Sequence, residues 1–176
     1  VYARAIGRNP LEWSDDGWGR DSMPAININW FEASSYAEWL EQKTGEKYSL
    51  PTEVEWEYAY SAGTTSQFYT GVSISPEHAN YLNEKQMRRR TTPVGLYPAN
   101  SFGVYDMAGN VWEWIGDSSG YGGEAAITPE SCTSQARVGG RRMVRGGSWY
   151  SPMDSLKRDS KHFHQSQHSA NNIGFR

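Results

Sequence analysis

The chain has 176 residues, 20 acidic and 17 basic side chains and a formal charge of −3, a size for one domain and a balance that argues against a dedicated nucleic-acid binder. One cysteine, Cys132, excludes an intramolecular disulfide framework and a cysteine-based zinc site, and no apolar run approaches the roughly 18 residues of a membrane span. Leu, Ile, Val and Phe number only 26, but eight Trp and eleven Tyr supply the missing apolar area, so the chain reads as an aromatic-cored globule.

The chain opens at Val1 without an initiator Met, which implies that upstream sequence has been removed and makes the absence of a signal peptide uninformative. The first legible element is a helix capped by Asn29, with Glu32 completing a capping box. Ala33, Tyr36, Ala37 and Leu40 follow at helical spacing, and Gly45 stops it. A second helix opens at Thr52-Glu53-Val54-Glu55 after Pro51 and runs through Trp56, Tyr58 and Ala59 to a stop at Gly63. Beyond Gly63 the chain is punctuated by Gly, Pro, Ser, Thr and Asn. Leu96–Asn100 and Gly103–Asp106 read as loop and turn, and Val111–Ile115 reads as a short strand. Met143-Val144-Arg145 leads into a Gly146-Gly147 break and a polar C-terminal region. No internal repeat or low-complexity linker divides the chain, which reads as a single domain over 1–176.

Four blocks carry a resemblance. Leu50-Pro51-Thr52-Glu53-Val54-Glu55-Trp56-Glu57-Tyr58-Ala59, Gly103–Trp114, Arg145-Gly146-Gly147-Ser148-Trp149 and Asn172-Ile173-Gly174-Phe175-Arg176 resemble the signature blocks of the formylglycine-generating enzyme, or sulfatase-modifying factor, domain family. The resemblance spans roughly Pro24 to Arg176. It implies an α+β fold, an irregular C-type-lectin-like variant with two helices, short antiparallel strands and extensive ordered loops. The family's opening strands are not recognisable before Pro24, which suggests a truncated N-terminus.

Fold does not give function. Catalytic members oxidise a substrate cysteine using two copper-binding cysteines, and those positions fall on Ser151 and Leu156, neither of which can be a thiolate ligand. The resemblance therefore implies no copper and no oxidase activity. The segment 145–176 also resembles the variable region of proteins diversified by retroelements, in which adenine-directed mutagenesis of Asn codons reaches Tyr, Ser, Asp, His, Phe and Ile. From Tyr150 to Asn172, 14 of 23 residues are Tyr, Ser, Asp, His, Phe or Asn, and of the residues such mutagenesis never reaches, Lys, Gln, Glu, Met and Trp, neither Glu nor Trp follows Trp149.

Three further groups carry candidate chemistry. His162, His164 and His168 fall within seven residues, and the spacing of the first two puts them on one strand face, as for a zinc or copper site or as exposed contact residues. The resemblance implies a calcium site at the Asp106 side chain, the Gly109 and Val111 carbonyls and the Glu113 carboxylate; an Asx-type turn with Glu113 pairing an arginine is the alternative. Arg88-Arg89-Arg90, with Lys85, reads as a solvated basic loop. Trp112, Trp114 and Trp149 read as core, and Cys132 as an ordinary thiol.

The resulting expectation is a non-catalytic ligand-binding display module. Tyr150, Ser151, Asp154, Asp159, His162, Phe163, His164, Ser166 and His168 would form one exposed contact surface for a macromolecular partner, a protein and not a nucleic acid. Ser148, Trp149, Gly174 and Phe175 would pack into the scaffold. The alternatives are a family enzyme of unknown or lost activity and a calcium-dependent lectin. Surface display, or association with a phage, would follow from the variable-protein reading.

Overall fold

The computed structural model describes residues 14–83, 88–117 and 140–176; Lys85 and Cys132 lie outside them. Helix α1 spans Trp30–Thr44. Asn29 accepts the Glu32 N–H, Glu32 accepts the Asn29 N–H, and Gly45 closes the helix in the left-handed conformation. Helix α2 spans Glu53–Ser61, with the same reciprocal bonding between Thr52 and Glu55. Its left-handed cap is Ala62, one residue before the expected Gly63.

Four short strands follow: β1 (Trp112–Trp114), β2 (Arg141–Arg145), β3 (Lys161–Gln165) and β4 (Ile173–Gly174). They form one sheet in the order β3-β2-β1-β4. β1 runs antiparallel to β2, and β2 to β3, but β1 and β4 are parallel, so the sheet is mixed and not wholly antiparallel. The parallel pair brings the C-terminal residues alongside β1, with Trp112 opposite Ile173 and Glu113 opposite Gly174.

Strand alternation sends successive side chains to opposite faces, and each face carries its own core. On one, Trp56, Tyr60, Phe68, Met107, Ile115, Met143 and Leu156 pack together, with Phe163 half-buried against them. On the other, Ile28, Ala33, Leu50, Trp112, Trp114, Val144 and Ile173 pack together. Two buried polar groups tie α2 and the loop before α1 to the sheet. The Trp114 indole N–H donates to the Ile28 carbonyl at 2.9 Å. The Arg145 guanidinium is buried over the Trp56 ring and pairs with Glu53 at 2.7 Å. A buried charge of this kind is tolerated because it is paired and hydrogen-bonded.

The chain leaves β2 through Gly146 and Gly147, both at positive φ. Gly147 is constrained twice: its φ is +76°, and a Cβ there would stand 2.7 Å from Leu156 Cδ1 and 3.1 Å from the Ser155 carbonyl oxygen. Both the backbone conformation and the close approach require glycine. Gly147→Ala should therefore cost about 1–3 kcal/mol of stability, the usual scale for overpacking. Urea unfolding checks this, and an unchanged midpoint would contradict the close packing over Leu156.

Candidate functional site

Glu113 lies on β1, flanked by Trp112 and Trp114, which point to the opposite core. Its carboxylate is buried and faces α2 and the C-terminus. Oε2 accepts the Trp56 indole N–H at 2.7 Å, and Oε1 accepts Arg176 Nη2–H at 2.8 Å and Nε–H at 3.1 Å. The Arg176 Nη2 group also donates to the Tyr105 and Asp106 carbonyls at 2.8 Å and 3.2 Å. Glu113 holds the guanidinium's pKa above its ordinary value.

The Asp106 turn stands beside this pair. Asp106 and Asn110 both adopt positive φ. Gly109 has no alternative residue, because a Cβ would lie 2.3 Å from the Asn80 carbonyl oxygen. Asp106 Oδ2 accepts the Gly95 N–H at 2.6 Å, while Oδ1 is buried with no hydrogen-bond partner. Burial pushes the Asp106 carboxyl above its ordinary pKa, against the pull of the Gly95 N–H and Arg176. Together with Val94, Phe175 and Pro24, the turn and the ion pair line a cavity of about 320 Å³. Of the carboxylates that resemblance would assign to calcium, Asp106 keeps one open oxygen, and Glu113 is already matched by a guanidinium. The expected arginine alternative is thus what Glu113 displays.

Past the Gly pair, Ser148–Ser151 form a hydrogen-bonded turn. The two hydroxyl oxygens are 2.9 Å apart, and the Ser148 N–H donates to Ser151 Oγ at 3.1 Å. The Ser151 carbonyl accepts the Leu82 N–H at 2.9 Å. Leu156 is fully buried in the core. The residues at the two copper-ligand positions are therefore a satisfied hydroxyl and a core aliphatic, which do not fit copper. Trp149 is half-buried between Trp18 and Tyr150, at ring separations of 5.6 Å and 5.4 Å, and donates its indole N–H to the Asn171 carbonyl at 3.2 Å.

The nine residues expected on one surface divide. Tyr150 (63% exposed), Asp154, Asp159, His162 and His168 are exposed. Ser151 and Ser166 are buried, and both expectations of exposure are corrected. Their hydroxyls are consumed locally, Ser151 by Ser148 and Ser166 by the Gly140 carbonyl. On β3, alternation sends Phe163 towards the Trp56 core, and sends His162 and His164 to the other face against Trp112 and Trp114. One contiguous array of nine is therefore not what the fold presents. Ser148 and Gly174 are buried, as expected of scaffold, and Phe175 is half-buried.

Nor do the histidines converge. The His164 and His168 rings stack at 4.7 Å with 11° between planes, so their nitrogen lone pairs point along parallel planes and not at one ion. Among the described residues no group of three or more His, Cys, Asp or Glu is placed to hold a metal. Burial, with repulsion from His168, His162 and Arg141, lowers the His164 pKa to about 4.

The sulfatase-modifying factor enzyme 1-like domain matches residues 6–176. The chain belongs to that family. It is 38% identical over 160 residues to serine/threonine-protein kinase pkn1 of Chlamydia caviae, covering 90% of this chain and 24% of the kinase. It is 29% identical over 174 residues to the formylglycine-generating enzyme of Mus musculus, covering 89% of this chain and 44% of the enzyme. The chain thus spans from a quarter to under half of the length of these relatives. PvdO from Pseudomonas aeruginosa superimposes with a TM-score of 0.72 at 30% identity over 89% of this chain and 61% of that one. Treponema denticola variable protein 1 gives 0.73 at 22% identity over 99% and 78%, a likeness of fold. Within this sulfatase-modifying-factor-like domain, the pair of cysteines is gone, since the chain holds only one cysteine in all.

Two outcomes follow from the site. Glu113→Gln should cost about 1–3 kcal/mol, because the Arg176 guanidinium loses its counter-charge. In a cycle with Arg176→Gln the double variant should lose less than the sum of the singles, and strict additivity by urea unfolding would show that the pair is not coupled. For His164 the folded state resists protonation more than the unfolded chain does. Its contribution is present above the ordinary histidine pKa of about 6.5 and is lost as pH falls towards 4. The parent's melting temperature should therefore fall more steeply between pH 7 and pH 5 than that of His164→Gln; parallel profiles would contradict the burial of His164 in its neutral form.

Proposed function

We propose that this domain is a non-catalytic ligand-binding module that engages a macromolecular target, a protein, through the exposed end of its C-terminal segment around Tyr150. The observation that carries this reading is the Ser148–Ser151 turn. Its buried hydroxyl pair stands where the family's catalysts hold a thiolate, and the same turn holds Tyr150 out into solvent on a tied backbone. An exposed tyrosine on a fixed frame offers apolar area and a hydroxyl at low entropic cost. Asp154, His162 and His168 supply further exposed polar groups on the segment. The fold it shares with Treponema denticola variable protein 1 supports this reading, as does the abundance of Tyr, Ser, Asp, His, Phe and Asn after Trp149. A place on a cell or phage surface goes with it. Among the described residues no helix is long and apolar enough to cross a membrane.

The test replaces Tyr150, Asp154 and His162 together by alanine. All three side chains are exposed, and the contacts they lose, His162 on Trp112 and Asp154 with Lys157, face solvent, so the melting temperature should fall only slightly. Binding to targets selected by the parent chain on a protein array should be lost. Targets retained in full by the triple variant would refute a binding surface here, and conversion of a sulfatase-type cysteine peptide by the copper-treated protein would refute the non-catalytic reading.

One observation favours a calcium ion as part of the scaffold: the open, buried Oδ1 of Asp106, a hard oxygen beside the Gly109 turn and Glu113. Asp106, the Gly109 and Val111 carbonyls and Glu113 would hold it, the last shared with Arg176. Such an ion supplies counter-charge to a buried carboxylate and ties the loop to β1. An ion that binds only the folded state adds about 2.7 kcal/mol at a hundredfold excess over its dissociation constant. Calcium should raise the parent's melting temperature and not that of Asp106→Asn. Identical melting in calcium and in chelator removes the ion from the scaffold.

A further inference from the structure

The basic run Arg88-Arg89-Arg90 takes on a different meaning once its neighbours are in place. The stretch after it is pinned from below: Asn80 Nδ2–H donates to the Arg90 carbonyl at 2.9 Å, and the Asn110 side chain bonds both the N–H and the carbonyl of Thr92. Arg89 itself sits at φ +53°, a left-handed conformation rarely adopted without surrounding constraint. Its side chain is exposed and makes no hydrogen bond or ion pair among the described residues. It borders a cavity of about 430 Å³, lined also, among the described residues, by Tyr81, Leu82, Trp149 and Tyr150. Tyr81 is buried, and the Leu82 N–H is bonded to the Ser151 carbonyl, so one wall is fixed to the turn that carries Tyr150. Trp149 is fixed by Asn171 and by Trp18.

We infer that this cavity is a binding site for an acidic peptide segment of a protein partner. A carboxylate would sit on the Arg89 guanidinium, and the adjacent aromatic or aliphatic side chain would lie against Trp149 and Tyr150. The chemistry follows from the walls. Three aromatic rings and a leucine offer apolar contact, and the one cation among the described residues lining the space is a planar fork of donors that matches a carboxylate. Concave, mostly apolar sites of this volume with a few placed polar groups are the usual form of a ligand pocket. Arg88 and Arg90, both exposed on either side, add positive potential that draws an acidic segment in. A single-stranded nucleic acid also pairs rings with cations, but it needs a groove with successive platforms and several phosphate contacts. Among the described residues one cation lines this space, short of the several phosphate contacts that a strand would need. The inference rests on the binding-module reading and deepens it at Tyr150.

The experiment uses the full chain and three probes: the peptide Ac-Asp-Tyr-Asp-NH2, its amide twin Ac-Asn-Tyr-Asn-NH2, and an oligothymidylate, each titrated at low salt while the Trp149 indole resonance is followed. The acidic peptide should shift that resonance at millimolar concentration, and the twin should bind about tenfold more weakly, the scale of one charge-assisted hydrogen bond. Arg89→Gln should abolish the difference between the two peptides, Tyr150→Ala should weaken both, and Arg88→Gln should preserve the preference. Equal binding of the twin, no shift at millimolar peptide, or tighter binding of the oligothymidylate would each overturn the acidic-peptide site. Array targets that survive Arg89→Gln but are lost in the Tyr150, Asp154 and His162 triple variant would remove this pocket while leaving the binding module in place.

Discussion

The carboxylate of Glu113 is buried on a central strand, and three parts of the chain meet on it: Trp56 from α2, Arg176 from the C-terminus, and through Arg176 the carbonyls of Tyr105 and Asp106. A lone buried carboxylate would be costly, so each bond to it is required and not merely permitted. That requirement fixes where the last residues go. With Arg176 held at Glu113, Ile173 and Gly174 lie parallel to β1, and the Asp106 turn is tied to the ion pair through its carbonyls. The irregular loops between the helices and the strands are ordered by such polar ties more than by repeating backbone pattern.

The same economy explains why the catalytic chemistry of relatives has no footing here. The turn after Gly147 is ordered without a metal-binding pair, with the Ser148 and Ser151 hydroxyls bonded to one another and Leu156 packed beneath Gly147. A serine accepts and donates hydrogen bonds in the space a thiolate would occupy, but it offers no soft ligand. The frame here rests on glycine backbone and core packing.

The C-terminal segment shows how a composition can be read correctly and its geometry misjudged. Polar residues after Trp149 suggested a uniform contact surface. But β3 sits at the sheet edge, where alternate side chains face opposite cores, so Phe163 turns inward beneath α2 while His162 turns to Trp112. Ser151 and Ser166 are small enough to be buried once their hydroxyls find partners, which composition does not reveal.

Local signals were enough for the helices. Asn29 with Glu32 and Thr52 with Glu55 fix both N-termini through reciprocal bonds within three residues of sequence, and Gly45 ends α1 by its own conformational freedom. The signature blocks likewise gave the family, since they encode turns and core positions that the fold demands. Tertiary structure alone decided the parallel β1–β4 pairing, the Glu113–Arg176 pair 63 residues apart, and the meeting of Arg89 with Trp149 and Tyr150. Each of these joins segments with no periodic relation in sequence, and each depends on how distant segments pack rather than on local propensity.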